Sequence, residues 1–320
     1  MPAGSSWQTL WLSKNGGWTA IQSLTYRLLR ALLAVCAWLP LPVLHALARL
    51  WGGLLYRLPN RMRETTRKNL ATCFPARSDT EVDRLVRESL VHTAATALEM
   101  GKAWVAPLST TLKLVQGSEG LSAFDAAVAG PRGVILLAPH LSNWEIFGFF
   151  ACEGRPANFM YQPPQNAGLD NLLRTVRSRN GVNLAPTNRK GVAQLLSALK
   201  RGEIVGILPD QVPADAGGAF ADFYGEPALT MTLVSKLIQR TGAQVFCGFA
   251  ERLPHGKGFV AVFEPADEAI YSADLQESLA GLNRSVESVV NRALPQYQWE
   301  YKRFRRRPDN SEFYGSKDPA

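Results

Sequence analysis

A histidine and a glutamate lie five residues apart in the hexapeptide His140-Leu-Ser-Asn-Trp-Glu145, and this pair could carry acid–base chemistry. The apolar run 134–138 and Pro139 precede the pair, so His140 is predicted to follow a buried strand directly. Five residues turn an α-helix by about 500°, so the two side chains cannot share one helical face. We therefore expect His140 before the helix and Glu145 in its first turn, where the helix dipole favours a carboxylate.

From the first turn of the helix, the Glu145 carboxylate could reach back toward the His140 imidazole, with Ser142 or Asn143 as the helix N-cap. A carboxylate that holds an imidazole makes a general base. A histidine followed by an acid at this spacing is a simple pattern, and a histidine that only caps a turn would explain it too. The residues alone leave both alternatives open.

A second polar pair follows another apolar run, because Ile204-Val-Gly-Ile-Leu-Pro209 leads into Asp210 and Gln211. In an open parallel sheet, chemistry gathers at the carboxyl ends of the strands, so the two pairs could form one site. The alternative for Asp210 is a turn or helix cap. The apolar segment 223–230 follows two glycines, and we expect it to be a flexible lid over a hydrophobic substrate.

From about residue 112, short apolar runs alternate with helical stretches. This alternation predicts an α/β fold with a mostly parallel sheet flanked by helices, and the segment 253–258 is typical of a β-hairpin turn. The sequence contains no GxSxG, P-loop or HExxH motif, which argues against hydrolase, nucleotide-driven and zinc-peptidase functions. Its four cysteines form no CxxC pair, so neither a zinc site nor a disulfide framework is indicated.

The chain has 320 residues, 46% of them hydrophobic, and a formal net charge of +8. Basic clusters at 57–68, 174–179 and 302–307 suit an acidic partner, such as anionic lipid or nucleic acid, although any one cluster could be solvated surface. The basic residues are not interleaved with aromatic residues at regular spacing, which disfavours nucleic acid.

Residues 31–44 carry no charge, but Pro40 and Pro42 interrupt them, so a kinked membrane anchor, an interfacial helix and a buried helix are all consistent with the pattern. We favour an uncleaved anchor. Positive charge is greater after this segment than before it, which predicts a cytoplasmic body. The predicted organisation is an irregular lead-in at 1–25, a membrane anchor or interfacial helix at 26–57, a catalytic domain at 58–308 and a tail at 309–320.

Four separated blocks of the sequence form a recognisable set: His140 to Glu145, Lys190 to Gln211, Phe223 to Ala228, and Gln296-Tyr-Gln-Trp-Glu-Tyr-Lys-Arg-Phe304. Together they give the chain a resemblance to the lipid A biosynthesis (late) acyltransferases of the lysophospholipid acyltransferase superfamily. The similarity also includes the N-terminal apolar segment and Arg67-Lys-Asn-Leu…Cys73-Phe-Pro75, so it extends over nearly the whole chain.

The resemblance implies transfer of a fatty acyl group from acyl carrier protein to a hydroxyl of a lipid A precursor, at the cytoplasmic face of the bacterial inner membrane. It implies an anionic membrane surface as a partner, and no metal or organic cofactor. His140 would be the base that deprotonates the hydroxyl, and Glu145 the acid that orients it. The candidate substrate-binding residues are Asn143, Gln162, Arg177, Arg189, Asp210 and Gln211.

One departure concerns the acceptor. Many members of the family have Tyr-Arg-Pro where this chain has Tyr161-Gln162-Pro163, and that arginine is thought to meet acceptor phosphate. Arg174, Arg177 or Arg189 could supply the charge instead. A lysophospholipid or another hydroxylated lipid is the alternative acceptor, and a non-catalytic lipid-binding membrane protein is the alternative of a different class.

Overall fold

The computed structural model describes residues 20–164, 167–179 and 181–315. Its helices are α1 (Ala20–Trp38), α2 (Leu41–Arg57), α3 (Arg61–Cys73), α4 (Asp79–Trp104), α5 (Leu108–Leu112), α6 (Leu121–Val128), α7 (Trp144–Ala151), α8 (Ala167–Ser178), α9 (Arg189–Lys200), α10 (Leu233–Thr241) and α11 (Leu275–Arg292). Its strands are β1 (Val115–Glu119), β2 (Val134–Leu137), β3 (Ala157–Tyr161), β4 (Val182–Pro186), β5 (Ile204–Ile207), β6 (Gly218–Phe223), β7 (Glu226–Met231), β8 (Gln244–Arg252) and β9 (Phe259–Pro265).

Seven strands form one sheet in the order β1-β9-β8-β2-β5-β3-β4. Strands β8, β2, β5, β3 and β4 run parallel to one another. Strands β9 and β1 run parallel to each other and opposite to the rest, because β9 returns antiparallel to β8. The predicted α/β fold with a mostly parallel sheet is confirmed, and so is the hairpin predicted around 253–258.

Helices cover both faces of the central strands, and so β2 and β5 are buried along their whole length. Because side chains alternate along a strand, Ile135 and Leu137 pack with α9, α10 and α11 on one face. Val134 and Leu136 pack with α6, α7 and α8 on the other. This two-sided burial explains why both strands read as continuous apolar runs.

The apolar N-terminal segment forms two helices, because α1 ends at Trp38 and α2 begins at Leu41. Pro40 separates them, since proline lacks the N–H that a continuous helix needs and disfavours helical geometry in the residue before it. Helix α2 lies close to α4, where a Cβ on Gly52 would come within 2.4 Å of the Cα of Val91. Among the described residues, none of the helices has the combined length and apolar character needed to cross a membrane.

The predicted domain boundaries stay a prediction. Residues 1–19 of the expected irregular lead-in lie outside the described residues, and α1 already begins at Ala20. Residues 316–320 of the expected tail also lie outside them. The assignment of 26–57 to a membrane anchor or interfacial helix stays a prediction.

The segment that we predicted to be a flexible lid is a packed β-hairpin, so that prediction was wrong. Strands β6 and β7 pair antiparallel across a tight turn after Phe223. The Phe223 side chain is buried in the core, and the Asn283 amide of α11 donates to the Asp222 carbonyl at 2.8 Å. The apolar residues that we expected to cover a substrate hold the hairpin against α11 instead.

Candidate active site

Strand register brings the two predicted polar pairs together. Strands β2 and β5 are parallel neighbours with Leu137 opposite Ile207, and the Ala138 N–H donates to the Ile207 carbonyl at 2.9 Å. Each strand is followed by one more apolar residue and then a proline. Continued beyond the strands, the same register places His140 opposite Asp210, at the carboxyl edge of the sheet.

Asp210 holds His140 through two hydrogen bonds. The His140 amide donates to Oδ2 at 2.8 Å, and Nδ1 of the imidazole lies 2.9 Å from Oδ1. Burial alone would raise the pKa of Asp210, but the imidazole and amide of His140 outweigh it and lower that pKa. An ionised carboxylate on Nδ1 fixes the tautomer with the proton on Nδ1, and Nε2 is then the nitrogen that can accept a proton.

The chain segment 296–298 holds the turn that carries His140. The Gln298 N–H donates to the His140 carbonyl at 3.0 Å, and the Ser142 N–H donates to the Gln296 carbonyl at 2.8 Å. Ser142 has φ of 54°, which bends the chain sharply before α7. The predicted residue Gln211 joins this arrangement, because its amide donates to the Gln298 side chain at 3.2 Å.

Two further ionisable groups border the dyad, and the sequence reasoning assigned them no role. Burial and the neighbouring charge of Asp210 raise the pKa of the Tyr297 phenol far above its usual value. Burial also raises the pKa of Glu300, which lies near His140 and accepts a hydrogen bond from Thr93 at 3.0 Å. Both residues belong to the block 296–304, which is one of the blocks that carry the family resemblance. Their place in that block is the sequence signal that could have assigned them to the site.

Glu145 does not hold the imidazole as we had expected. Its side chain is 5% exposed and pairs with Arg177 of α8, which donates through Nη2 to Oε1 and through Nε to Oε2 at 3.3 Å. Burial alone would lower the pKa of Arg177, but Glu145 outweighs it and raises that pKa. The ion pair therefore joins α7 to α8, and Asp210 is the acid that contacts His140.

An apolar pocket lies between α7 and the carboxyl edge of the sheet, beside the imidazole. The Trp144 ring lines this pocket and meets the His140 ring edge-on, with ring centroids 4.8 Å apart. The lining residues are Ala138, Trp144, Glu145, Gly148, Phe149, Phe159, Met160, Arg177, Val182 and Leu208. Apart from the Glu145–Arg177 pair its walls are apolar, which suits contact with an alkyl chain, but its free volume of about 20 Å³ means that these walls must move apart to admit one.

Asn143 lies beneath the site and is fully buried. Its side chain accepts from the Ile146 N–H at 3.1 Å, as the predicted N-cap of α7, and donates to Glu99 at 3.1 Å. Glu99 in turn forms a two-point ion pair with Arg252, at 2.6 and 2.7 Å. These contacts use the polar atoms of Asn143 to position α7.

Gln162 and Arg189 lie at the same edge of the sheet, after strands β3 and β4. The Gln162 side chain pairs with Thr187, and Arg189 is exposed at the start of α9. Strand β3 neighbours β5, and β4 is one strand further out, so both residues lie farther along the edge than Asp210. Within the described residues, no group of three His, Cys, Asp or Glu side chains is arranged to hold a metal ion.

The sequence model of the bacterial lipid A biosynthesis acyltransferases matches residues 18–306, and the chain therefore belongs to this family and is an acyltransferase. The lipid A biosynthesis palmitoleoyltransferase of Escherichia coli (strain K12) is 29% identical over 271 residues, which cover 84% of this chain and 87% of the relative. The lauroyltransferase of the same strain is 28% identical over 274 residues, covering 85% and 88%. The myristoyltransferase is 26% identical over 287 residues, covering 87% and 84%.

Proposed function

We propose that this protein transfers a fatty acyl chain from the thioester of acyl carrier protein to a hydroxyl of a lipid A precursor, with His140 as the general base. The observation that carries the proposal is the His140–Asp210 pair beside the apolar pocket. With Nδ1 held at 2.9 Å from a buried carboxylate, Nε2 is the nitrogen that takes the hydroxyl proton.

The proposed reaction needs only the groups of this site and the two substrates. Nε2 of His140 takes the proton of the acceptor hydroxyl while its oxygen attacks the thioester carbonyl carbon. The tetrahedral intermediate collapses by breaking the carbon–sulfur bond, and the imidazolium returns the proton to the leaving thiolate. The buried Asp210 carboxylate stabilises the imidazolium in between.

The distances favour Asp210 over Glu145 as the acid that orients the base. For Glu145 we propose a positioning role, because its pair with Arg177 fixes α7 and forms one wall of the pocket beside Trp144. The acyl chain would lie along the apolar walls of the same pocket. A preorganised wall matters because a small displacement of a thioester carbonyl can greatly slow the transfer.

We place the reaction at the cytoplasmic face of the bacterial inner membrane, with α1 and α2 against the lipid. Exposed large apolar side chains are concentrated on these helices and just after them: Leu28, Leu29, Leu32, Val35, Trp38, Val43, Leu47, Leu50, Trp51, Leu54 and Leu58. Exposed apolar surface of this extent is typical of a protein or membrane contact. The nearby arginines Arg49 and Arg57 favour anionic headgroups.

The test offers purified protein an acyl carrier protein thioester together with a lipid A precursor or mixed lysophospholipids, and measures the products by mass spectrometry. We expect an acyl mass increment on the lipid A precursor, and His140→Ala should lower its rate by about 10²- to 10⁴-fold. His255→Asn is the control, because His255 is exposed in a turn with φ of 59° that asparagine tolerates.

The other outcomes of this assay discriminate between the alternatives. Acylation of lysophospholipid alone would support the proposed acyl transfer but would make a lysophospholipid the acceptor. Equal use of a coenzyme A thioester would remove the requirement for carrier protein. Absence of transfer to any acceptor would favour the non-catalytic lipid-binding alternative, and a fully active His140→Ala variant would refute the role of the base.

A further inference from the structure

A separate cavity of about 740 Å³ opens close to the dyad and has basic walls. Among the described residues, four cationic side chains and one carboxylate line it: Arg61, Lys302, Arg305, Arg306 and Glu312. Arg61, Arg305 and Arg306 are exposed to solvent. The excess of positive charge, most of it guanidinium, suits a phosphate group, because guanidinium donors can meet two phosphate oxygens at once.

The cavity and the dyad share two short chain segments. Val212 lines the cavity and follows Asp210 by two residues, so their Cα atoms are at most about 7 Å apart. The Val212 N–H donates to the Tyr301 hydroxyl at 2.9 Å, and Lys302 is the next residue. The cavity therefore adjoins the chain segment that carries Asp210, the partner of His140.

Two of the other arginines considered for this role hold carboxylates, because Arg174 pairs with Asp170 at 2.9 Å and Arg177 pairs with Glu145. The third, Arg189, follows β4, which lies two strands away from the strand that precedes Asp210. Gln162 carries no charge. Arg61 lies four residues after the end of α2, so the cavity adjoins the helices whose exposed apolar residues we place against the lipid. A headgroup at the membrane surface could enter it while its acyl chains remain in the bilayer.

We propose that this cavity is the subsite for a phosphate group on the sugar headgroup of the acceptor lipid. The assignment rests on the proposed function, because it places the acceptor hydroxyl at His140.

The experiment measures binding and turnover of full-length protein in detergent, with a phosphorylated lipid A precursor and with the same lipid after phosphatase treatment. In Arg305→Ala/Arg306→Ala, we expect the Kd and KM for the phosphorylated lipid to rise at least about tenfold. The kcat and the affinity for the phosphatase-treated lipid should stay nearly unchanged. The control is Arg132→Ala/Arg240→Ala, which removes the same charge from exposed positions that do not line the cavity.

Four outcomes would overturn the assignment. They are equal affinity of the wild type for both lipids, an equal loss in the control variant, inorganic phosphate bound at the cavity as tightly as the lipid, and a higher KM for the carrier-protein thioester with unchanged acceptor binding. Because binding is measured without turnover, a wild type that binds the phosphorylated lipid through the cavity but fails to acylate it would refute the proposed function and keep the subsite.

Discussion

Asp210 sets the chemistry of His140 at the scale of single residues, and Asp210→Asn tests this directly. An amide that donates to Nδ1 would leave the imidazole proton on Nε2, so we expect kcat to fall by about 10²-fold or more with the fold retained. The check is single-turnover acyl transfer together with the denaturation midpoint. Asp309→Asn, at an exposed carboxylate, is the control. A kcat close to that of the wild type would show that the carboxylate does not orient the base.

Glu145→Ala should lower stability as well as kcat. The substitution leaves the Arg177 charge without its carboxylate, and breaking such a buried pair costs about 3 kcal/mol of unfolding free energy. We therefore expect a marked loss of stability, measured by chemical denaturation, together with a loss of kcat. If the variant stayed as stable as the wild type while losing kcat, Glu145 would have a role closer to the reacting atoms than the structure indicates.

The different partners of Asp210 and Glu145 show how much of the site could be predicted from the sequence. The pairing of His140 with a second strand end was predictable, because parallel strands end at one edge of the sheet. The sequence could not identify which acid contacts the imidazole, because the pairing of His140 with Asp210 depends on the register between β2 and β5. That register spans 70 residues of sequence and has no local signature.

At the scale of elements, a buried polar cluster joins α4 to β8 beneath α7. Arg252 pairs with Glu99 and also donates to Nδ1 of His92 at 3.0 Å. Burial, together with the charge of Arg252, lowers the pKa of His92 from 6.5 to about 3. The folded protein therefore keeps His92 neutral at pH values where the unfolded chain protonates it.

The sign of the pH effect follows from that pKa. Below pH 6.5 the unfolded state binds the proton first, so His92 makes the protein less stable as pH falls from 6.5 toward 3. We expect a slope of about 1 kcal/mol per pH unit, less than the full linkage value because the imidazole is only half-buried. Denaturation at several pH values should show a shallower slope in His92→Gln, whereas His255→Asn should leave the slope unchanged. An unaltered slope in His92→Gln would contradict this account.

At the scale of the whole molecule, the sequence patterns identified the sheet and its covering helices but misread one segment. Continuous apolar runs marked β2 and β5 because they are buried on both faces. The segment 223–230 has the composition of a loop, and only packing against α11 shows it to be a hairpin. Pro40, which interrupts the N-terminal apolar segment in the sequence, separates it into two helices in the structure.

The exposed apolar side chains of the two N-terminal helices lead to a prediction about how strongly the whole molecule binds a membrane. Trp38 and Leu50 are 83% and 72% exposed, so replacing both with serine should leave the fold intact. If their side chains enter the bilayer, the substitutions should lower the partition constant to anionic vesicles at least about tenfold. The control is Tyr271→Ser/Leu275→Ser, which removes exposed apolar side chains far along the chain. Co-sedimentation with vesicles measures the effect, and equal losses in both double variants would mean that α1 and α2 are not the lipid-binding face.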